Sequence, residues 1–148
     1  MGNEPVRVRR EAGDSRAATE AAEAFTLDLP VALGADWLPS GSPSLLDELK
    51  VARRLLKEQG SRVGAKRLVQ MVTSEAARVA GLGEHLGHLL AGKPADVLVL
   101  ERHAEDPWES VLEADRRSVE LVVIGGDVAY GRSEWVARSS RGQRNASR

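Results

Sequence analysis

Several residue types are scarce or missing in this sequence, and each absence excludes a class of site. The chain contains no cysteine, so disulfide bonds, thiolate nucleophiles and cysteine-bound metal centres are excluded. Aromatic residues make up only 3% of the chain, so its core must consist mainly of leucine, valine and alanine. No apolar run reaches the roughly 18 residues of a membrane span, and no apolar signal segment opens the chain. These features predict a cytoplasmic protein that does not enter the membrane.

Net charge argues against two classes of partner, and chain length excludes one fold. The 21 basic and 22 acidic residues give a formal net charge of −1, which provides no field to attract nucleic acid or an anionic membrane surface. We therefore expect neither as a partner. The 148 residues are also too few for a complete (β/α)8 barrel, which typically needs about 250. The sequence contains neither a Gly-x-Ser-x-Gly elbow nor a phosphate-binding loop, which argues against serine hydrolases and nucleotide hydrolases.

Hydrophobic periodicity predicts one strand and two helical regions in the first part of the chain. The continuous apolar run 31–35 is typical of a buried strand, and it ends at Asp36. Residues 45–57 place leucines on one helical stripe behind a Ser44 cap, which predicts a helix. A second helical region is predicted over 65–81, with a break at Thr73 and Ser74 because either hydroxyl can cap the following turn.

The second part of the chain has the pattern of a small β-structure. A glycine-rich loop leads to 96–100, an apolar segment that predicts a strand. Asp106 followed by Pro107 is typical of a helix start. The apolar runs 119–124 and 128–130 flank two glycines that tolerate positive φ, which predicts a β-hairpin.

Asp36 is the first candidate for chemistry. A carboxylate directly after a buried strand occupies the carboxyl end, where active-site residues of α/β barrels lie. The same position also suits a loop or helix cap, so the residues alone leave both interpretations open. The three histidines, His85, His88 and His103, form neither His-Glu-x-x-His nor His-x-His, which favours loop or surface roles over metal binding.

The order of these segments resembles the metal-dependent amidohydrolase family. Residues 31–42, followed by 45–50, resemble the last barrel strand of that family with its loop and helix. Residues 71–82 resemble the helix pair after the barrel. Residues 87–96 read Gly-x-Leu-x-x-Gly-Lys-x-Ala-Asp, which resembles the entry into the family's small β-domain. The resemblance covers residues 31–130.

This resemblance implies an α+β fragment with two parts. Residues 31–90 correspond to the end of a (β/α)8 amidohydrolase barrel, with its last strand and following helices, and 91–136 to the C-terminal part of its small β-sandwich domain. Residues 1–30 match nothing in the resemblance and are expected to be disordered because they lack an apolar face. Residues 137–148 are expected to form a basic, disordered tail.

The resemblance also implies a chemistry and a role for Asp36. Amidohydrolases hydrolyse non-peptide C–N bonds with one or two divalent metal ions, zinc or iron, and the aspartate matched by Asp36 binds metal and accepts a proton from the attacking water. The family's histidine ligands belong to earlier barrel strands, and residues 1–30 contain no histidine. One carboxylate is too few ligands for catalytic zinc. We therefore predict that this chain alone binds no metal and is inactive.

Three interpretations of the chain remain open at this stage. The first is a C-terminal amidohydrolase fragment from a truncated gene. A second is one half of a split hydrolase, whose partner is the missing N-terminal part of the barrel. The third is a non-catalytic interaction module that self-associates or binds a partner through exposed strands.

Overall fold

The computed structural model describes residues 6–7, 22–35 and 41–136. Residues 22–26 are helical, and a 3₁₀ turn covers Arg116–Ser118. In chain order the other elements are β1 (Val6–Arg7), β2 (Val31–Ala32), α1 (Leu45–Glu58), α2 (Ala65–Gln70), α3 (Ser74–Val79), β3 (Val97–Leu100), α4 (Pro107–Glu113), β4 (Val119–Ile124) and β5 (Asp127–Gly131). Among the residues described, no helix is both long and apolar enough to cross a membrane.

Helix α1 begins and ends where the sequence predicts. The Ser44 hydroxyl oxygen accepts a hydrogen bond from the Asp47 backbone N–H at 3.2 Å and so caps the first turn. The helix buries Leu49 and Leu56 on its inner face. The chain then reverses at Gly60, whose φ of 73° suits glycine. The predicted helix is confirmed.

The predicted interruption of the second helical region is confirmed, but the N-cap residue Thr73 does not cap the next helix with its side chain. Helix α2 ends at Gln70, and α3 begins at Ser74. The hydroxyl of Thr73 donates to the Val69 carbonyl oxygen at 2.8 Å, so this side chain satisfies a carbonyl at the end of α2. The two short helices can therefore pack at different angles against the same core.

The main hydrophobic core lies between β2 and the helices. Strand β2 contributes a fully buried Val31, and α4 contributes Leu112. The buried members of this core are Ala24, Val31, Leu49, Leu56, Leu68, Val69, Met71 and Leu112. Because aliphatic side chains fill it, the scarcity of aromatic residues has the consequence expected from the sequence.

The small sheet has the antiparallel order β3-β4-β5. Gly125 and Gly126 form the hairpin turn with φ values of 59° and 93°, as the sequence predicts. The Gly125 N–H donates to Asp96 Oδ1 at 2.7 Å. The last residue of the Gly-Lys-x-Ala-Asp segment thus ties the entry of the sheet to its hairpin.

Gly87, the first residue of the segment 87–96, allows two parts of the backbone to approach closely. Gly87 has a φ of +88°, and a Cβ at this position would lie 2.7 Å from the Ser74 Cα and 2.9 Å from the Ala77 Cβ. No L-residue side chain fits both the dihedral angle and the space. The glycine-rich loop can therefore pass directly over the start of α3.

The described residues before Val31 contain structure that the sequence pattern does not predict. Strand β1 pairs in parallel with β2, with Val6 opposite Val31. In the helical residues 22–26, the Ala24 side chain is buried in the core, and its carbonyl accepts the Leu29 N–H at 2.9 Å. Ala22, Phe25 and Leu29 also pack against the core. The strand has only two residues and the helical segment only five, so both are too short for a clear periodic pattern. The remaining residues of 1–30, and 137–148, lie outside the described residues, and their disorder stays a prediction.

Candidate functional site

Asp36, the sequence-based candidate, lies outside the described residues, and the structure describes the strand that leads to it. The Val31 and Leu33 side chains both pack in or against the core, so they lie on one face of the strand. Ala32 and Gly34 alternate with them on the other face. Apart from its chain neighbours, no atom of the described residues would lie within 4 Å of a Cβ added at Gly34. None of these residues therefore covers the face of the strand opposite the core at Gly34.

One edge of β2 is covered by Met71, which follows α2, and by Glu75 of α3. The Leu33 N–H donates to the Met71 carbonyl at 2.9 Å, and the Val31 N–H donates to Glu75 Oε1 at 3.3 Å. These two amides are two residues apart and therefore point to the same edge of the strand. Two donors that an adjacent strand could otherwise use are satisfied within the chain.

Glu75 is the centre of a buried ion-pair cluster. Its side chain is only 4% exposed, and its Oε1 lies 2.7 Å from Arg67 Nη2 and 3.4 Å from Arg78 Nη2. The same oxygen accepts the Val31 N–H. A buried carboxylate needs such partners because its desolvation is unfavourable. Glu75 thus connects the start of β2 to both short helices.

Unlike Oε1, the second carboxylate oxygen of Glu75 has no hydrogen-bond partner among the described residues. This oxygen, Oε2, is also buried. An unsatisfied buried acceptor typically costs about 1–3 kcal/mol. Glu75 is not among the site residues predicted from the sequence. Its spacing to Arg78, three residues along one helix, was a visible signal, but such pairs are also common on solvated surfaces.

The histidines do not assemble into a metal site. His103 Nε2 lies 2.7 Å from the Ser118 hydroxyl oxygen, which also accepts the Asp115 N–H at 3.0 Å. His85 and His88 lie in the loop after α3. In residues 22–35 and 41–136, no group of three or more His, Asp or Glu side chains could hold a metal ion. His103 has a structural hydrogen-bonding role beside the small sheet.

Backbone hydrogen bonds shift the pKa of Asp115, an exposed carboxyl at the 3₁₀ turn. The backbone N–H of Arg117, which donates to Asp115 Oδ1 at 2.6 Å, is the largest influence and lowers the pKa of this carboxyl. Ser118 adds a second backbone N–H at 3.2 Å. Hydrogen bonds to the charged form favour ionisation. Asp115 caps the 3₁₀ turn before β4 and has no place in a reactive site.

The chain matches the model of a known protein family. The model of the amidohydrolase family matches residues 6–129. The match starts at residue 6, whereas the resemblance in the sequence starts at Val31, so the family match also takes in β1 and the residues that precede β2. Comparison with curated proteins gives no match.

Solved structures agree with this family match. The chain is similar to E. coli guanine deaminase, with a TM-score of 0.68 and 22% identity over 82% of this chain and 33% of that one. An adenosine deaminase from Xanthomonas campestris with bound zinc gives a TM-score of 0.68 and 19% identity, over 85% of this chain and 33% of that one. A triazine hydrolase variant gives a TM-score of 0.59 and 25% identity, over 75% of this chain and 27% of that one. The chain spans a third or less of each, and the predicted α+β barrel fragment with a small β-domain is confirmed.

Proposed function

Because this chain belongs to the amidohydrolase family, we propose that it is the C-terminal part of a metal-dependent hydrolase of non-peptide C–N bonds and is inactive alone. The observation that carries the proposal is a family match over residues 6–129 in a chain spanning at most a third of similar enzymes. Those enzymes include two deaminases and a triazine hydrolase. The missing barrel strands, on a preceding or separate polypeptide, are the proposed partner.

The proposed catalytic residue of this chain is Asp36. Val31 and Leu33 face the core. If the extended chain continues to alternate beyond Gly34, Asp36 is expected on the face opposite the core. On that face of a completed barrel, its carboxylate would bind the metal ion and accept a proton from water. A bound zinc ion supplies an acidified water molecule.

The described residues and Asp36 together offer too few ligands for a catalytic zinc site. Catalytic zinc normally has three protein ligands, and the described residues contain no cluster that could hold an ion. His103 is hydrogen-bonded to Ser118 beside the small sheet. We therefore propose that the histidine ligands come from outside this chain and that Asp36 contributes one carboxylate to the completed site.

Reconstitution tests this proposal. The chain is assayed for zinc content and for hydrolysis of a panel of cyclic and acyclic amides, alone and mixed with a polypeptide that carries the preceding barrel strands. The chain alone should be inactive, and the pair active. Asp36→Asn should lower the rate of the pair about 10²–10⁴-fold, because asparagine cannot accept the proton. The control Asp28→Asn should have no effect, since Asp28 is exposed and its φ of 51° suits asparagine equally well.

Two outcomes would contradict the proposal. Metal-dependent hydrolysis by the isolated chain would show that its own residues complete the site. A pair that stays fully active with Asp36→Asn would remove Asp36 from the mechanism. Loss of activity in both Asp36→Asn and Asp28→Asn would point to a folding defect, which circular dichroism of each variant detects.

A specific observation favours strand-mediated self-association as a second function. Strands β3 and β5 are the outer strands of the small sheet. Leu98 and Tyr130 flank Val122 in one cross-strand row, and they are 52% and 56% exposed. Exposed apolar sheet surfaces and unpaired edges promote association between chains.

Light scattering coupled to size-exclusion chromatography measures this association. We expect oligomers that Leu98→Lys reduces, because a lysine on the apolar row must keep its charge in water. The control Leu27→Lys changes an equally exposed leucine away from the sheet and should leave the oligomers intact. A wild-type chain that elutes as a 16.0 kDa monomer would argue against self-association.

A further inference from the structure

A cavity of about 530 Å³ opens between α2, α3 and the glycine-rich loop after α3. Its charged and polar lining comes mainly from Arg67, Ser74, Glu75, Arg78, Glu84 and His88. Glu75 accepts a hydrogen bond from the Val31 N–H at the start of β2. The described lining residues all lie between Arg67 and His88 and include none of the strand that leads to Asp36.

Two arginine guanidinium groups line this cavity. Arg67 Nη2 contacts Glu75 Oε1 at 2.7 Å and the Leu29 carbonyl at 3.5 Å, and its guanidinium lies 5.9 Å from the centre of the Phe25 ring. Arg78 Nη2 contacts Glu75 at 3.4 Å. A guanidinium has five N–H donors in a fork that matches the oxygens of phosphate or carboxylate. Among the described residues, no polar partner engages Nε or Nη1 of either arginine, so these groups can donate to an oxyanion.

The acidic residues of the cavity restrict which oxyanion can bind. Two arginines face Glu75 and Glu84, so the formal charges cancel and a fully deprotonated anion gains little net attraction. Glu75 Oε2 is buried and, among the described residues, lacks a donor. An oxyanion that carries a proton can donate to Oε2 while its other oxygens accept from the arginines.

We propose that this cavity binds a small oxyanion that carries an acidic hydrogen, as hydrogen phosphate does. Its unprotonated oxygens accept N–H groups of Arg67 and Arg78, and its O–H group donates to Glu75 Oε2. Arg78 is 63% exposed and makes the longer contact with Glu75, so it is the side chain that turns toward the anion. Arg67, at 35% exposure, stays in place. The site does not depend on the proposed hydrolase activity.

Calorimetric titration of the full chain with inorganic phosphate and with sulfate at pH 7 tests this site. Phosphate keeps a proton at this pH and sulfate does not, so phosphate should bind about tenfold or more tightly. Arg78→Gln should weaken phosphate binding about tenfold. The control Arg54→Gln removes an exposed α1 arginine 4.0 Å from Glu58 and should have no effect. Glu75→Gln should gain sulfate binding, because an amide N–H can donate to an oxyanion.

The proposal is overturned if phosphate does not bind up to about 10 mM, or if sulfate binds as tightly as phosphate. Equal weakening by Arg78→Gln and Arg54→Gln would assign any binding to general surface charge, which also overturns it. If Glu75→Gln does not fold, the Arg78 and Arg54 variants with the two anions still decide the outcome. Gained sulfate binding in Glu75→Gln supports the proposal directly, since an unfolded chain would lose binding.

Discussion

Replacement of Glu75 by alanine should destabilise the fold by about 2 kcal/mol. The change leaves the N–H of the fully buried Val31 without its acceptor, a loss of about 1–3 kcal/mol. Breaking a fully buried ion pair costs about 3–5 kcal/mol, but Arg67 is 35% exposed and can turn toward water. Arg78 is more exposed and contributes little. Removal of the unsatisfied Oε2 offsets part of the loss.

Glu75→Gln separates the hydrogen bond from the charge. Glutamine retains an oxygen that can accept the Val31 N–H and loses only the attraction to two partly solvated arginines. We therefore expect about 1 kcal/mol of destabilisation. Glu58→Ala is the control, because its carboxylate lies 4.0 Å from Arg54 with both side chains exposed. This change should cost at most about 0.5 kcal/mol.

Urea unfolding followed by far-UV circular dichroism measures all three free energies of unfolding. The expected order of destabilisation is Glu75→Ala, then Glu75→Gln, then Glu58→Ala. If Glu75→Ala destabilised the chain no more than Glu58→Ala, the cluster would not anchor β2 and the reasoning would be refuted. Parallel slopes against urea are required, since a changed slope indicates a changed native or denatured state.

Two further predictions concern the glycine-rich loop and the small sheet. Gly87→Ala should destabilise the fold by about 1–3 kcal/mol, because the added Cβ would lie 2.7 Å from the Ser74 Cα at a φ of +88°. An unchanged melting temperature would contradict this close approach. The hydrogen bond from the Arg117 N–H lowers the pKa of Asp115, so this carboxyl stabilises the fold above its unfolded pKa and loses that effect as pH falls through its folded pKa. Asp115→Asn should therefore reduce the loss of stability in acid, and identical acid denaturation curves would count against the assignment.

The elements that the sequence predicts are those with local signals. Helix α1 combines a Ser44 cap, a leucine stripe and a glycine end within one segment. The β4–β5 hairpin has two adjacent glycines at the positions that need positive φ. In both cases residues close in sequence determine the structure, so periodicity and turn chemistry suffice.

The Glu75 cluster was not predictable in the same way. Its acceptor contact reaches Val31, which is 44 residues away, and its shortest ion pair reaches Arg67 across the break between α2 and α3. No periodic pattern links residues at such separations. Strand β1 has the same difficulty, since pairing with β2 defines a two-residue strand that has no apolar pattern of its own. Asp36 could be proposed through the resemblance to the amidohydrolase family, since a carboxylate after a buried strand also suits a loop or helix cap.

The contacts that anchor β2 determine what a polypeptide that completes the barrel would need to supply. The strand has β1 on one edge, while the amides of Val31 and Leu33 are taken up by Glu75 and the Met71 carbonyl. Its core face packs on the chain's own helices, and none of the described residues covers the opposite face at Gly34. A completing polypeptide would therefore meet a strand that is already anchored. Because the anchor lies within this chain, the partner would need to supply ligands and enclosure, and it would not need to position the segment that leads to Asp36.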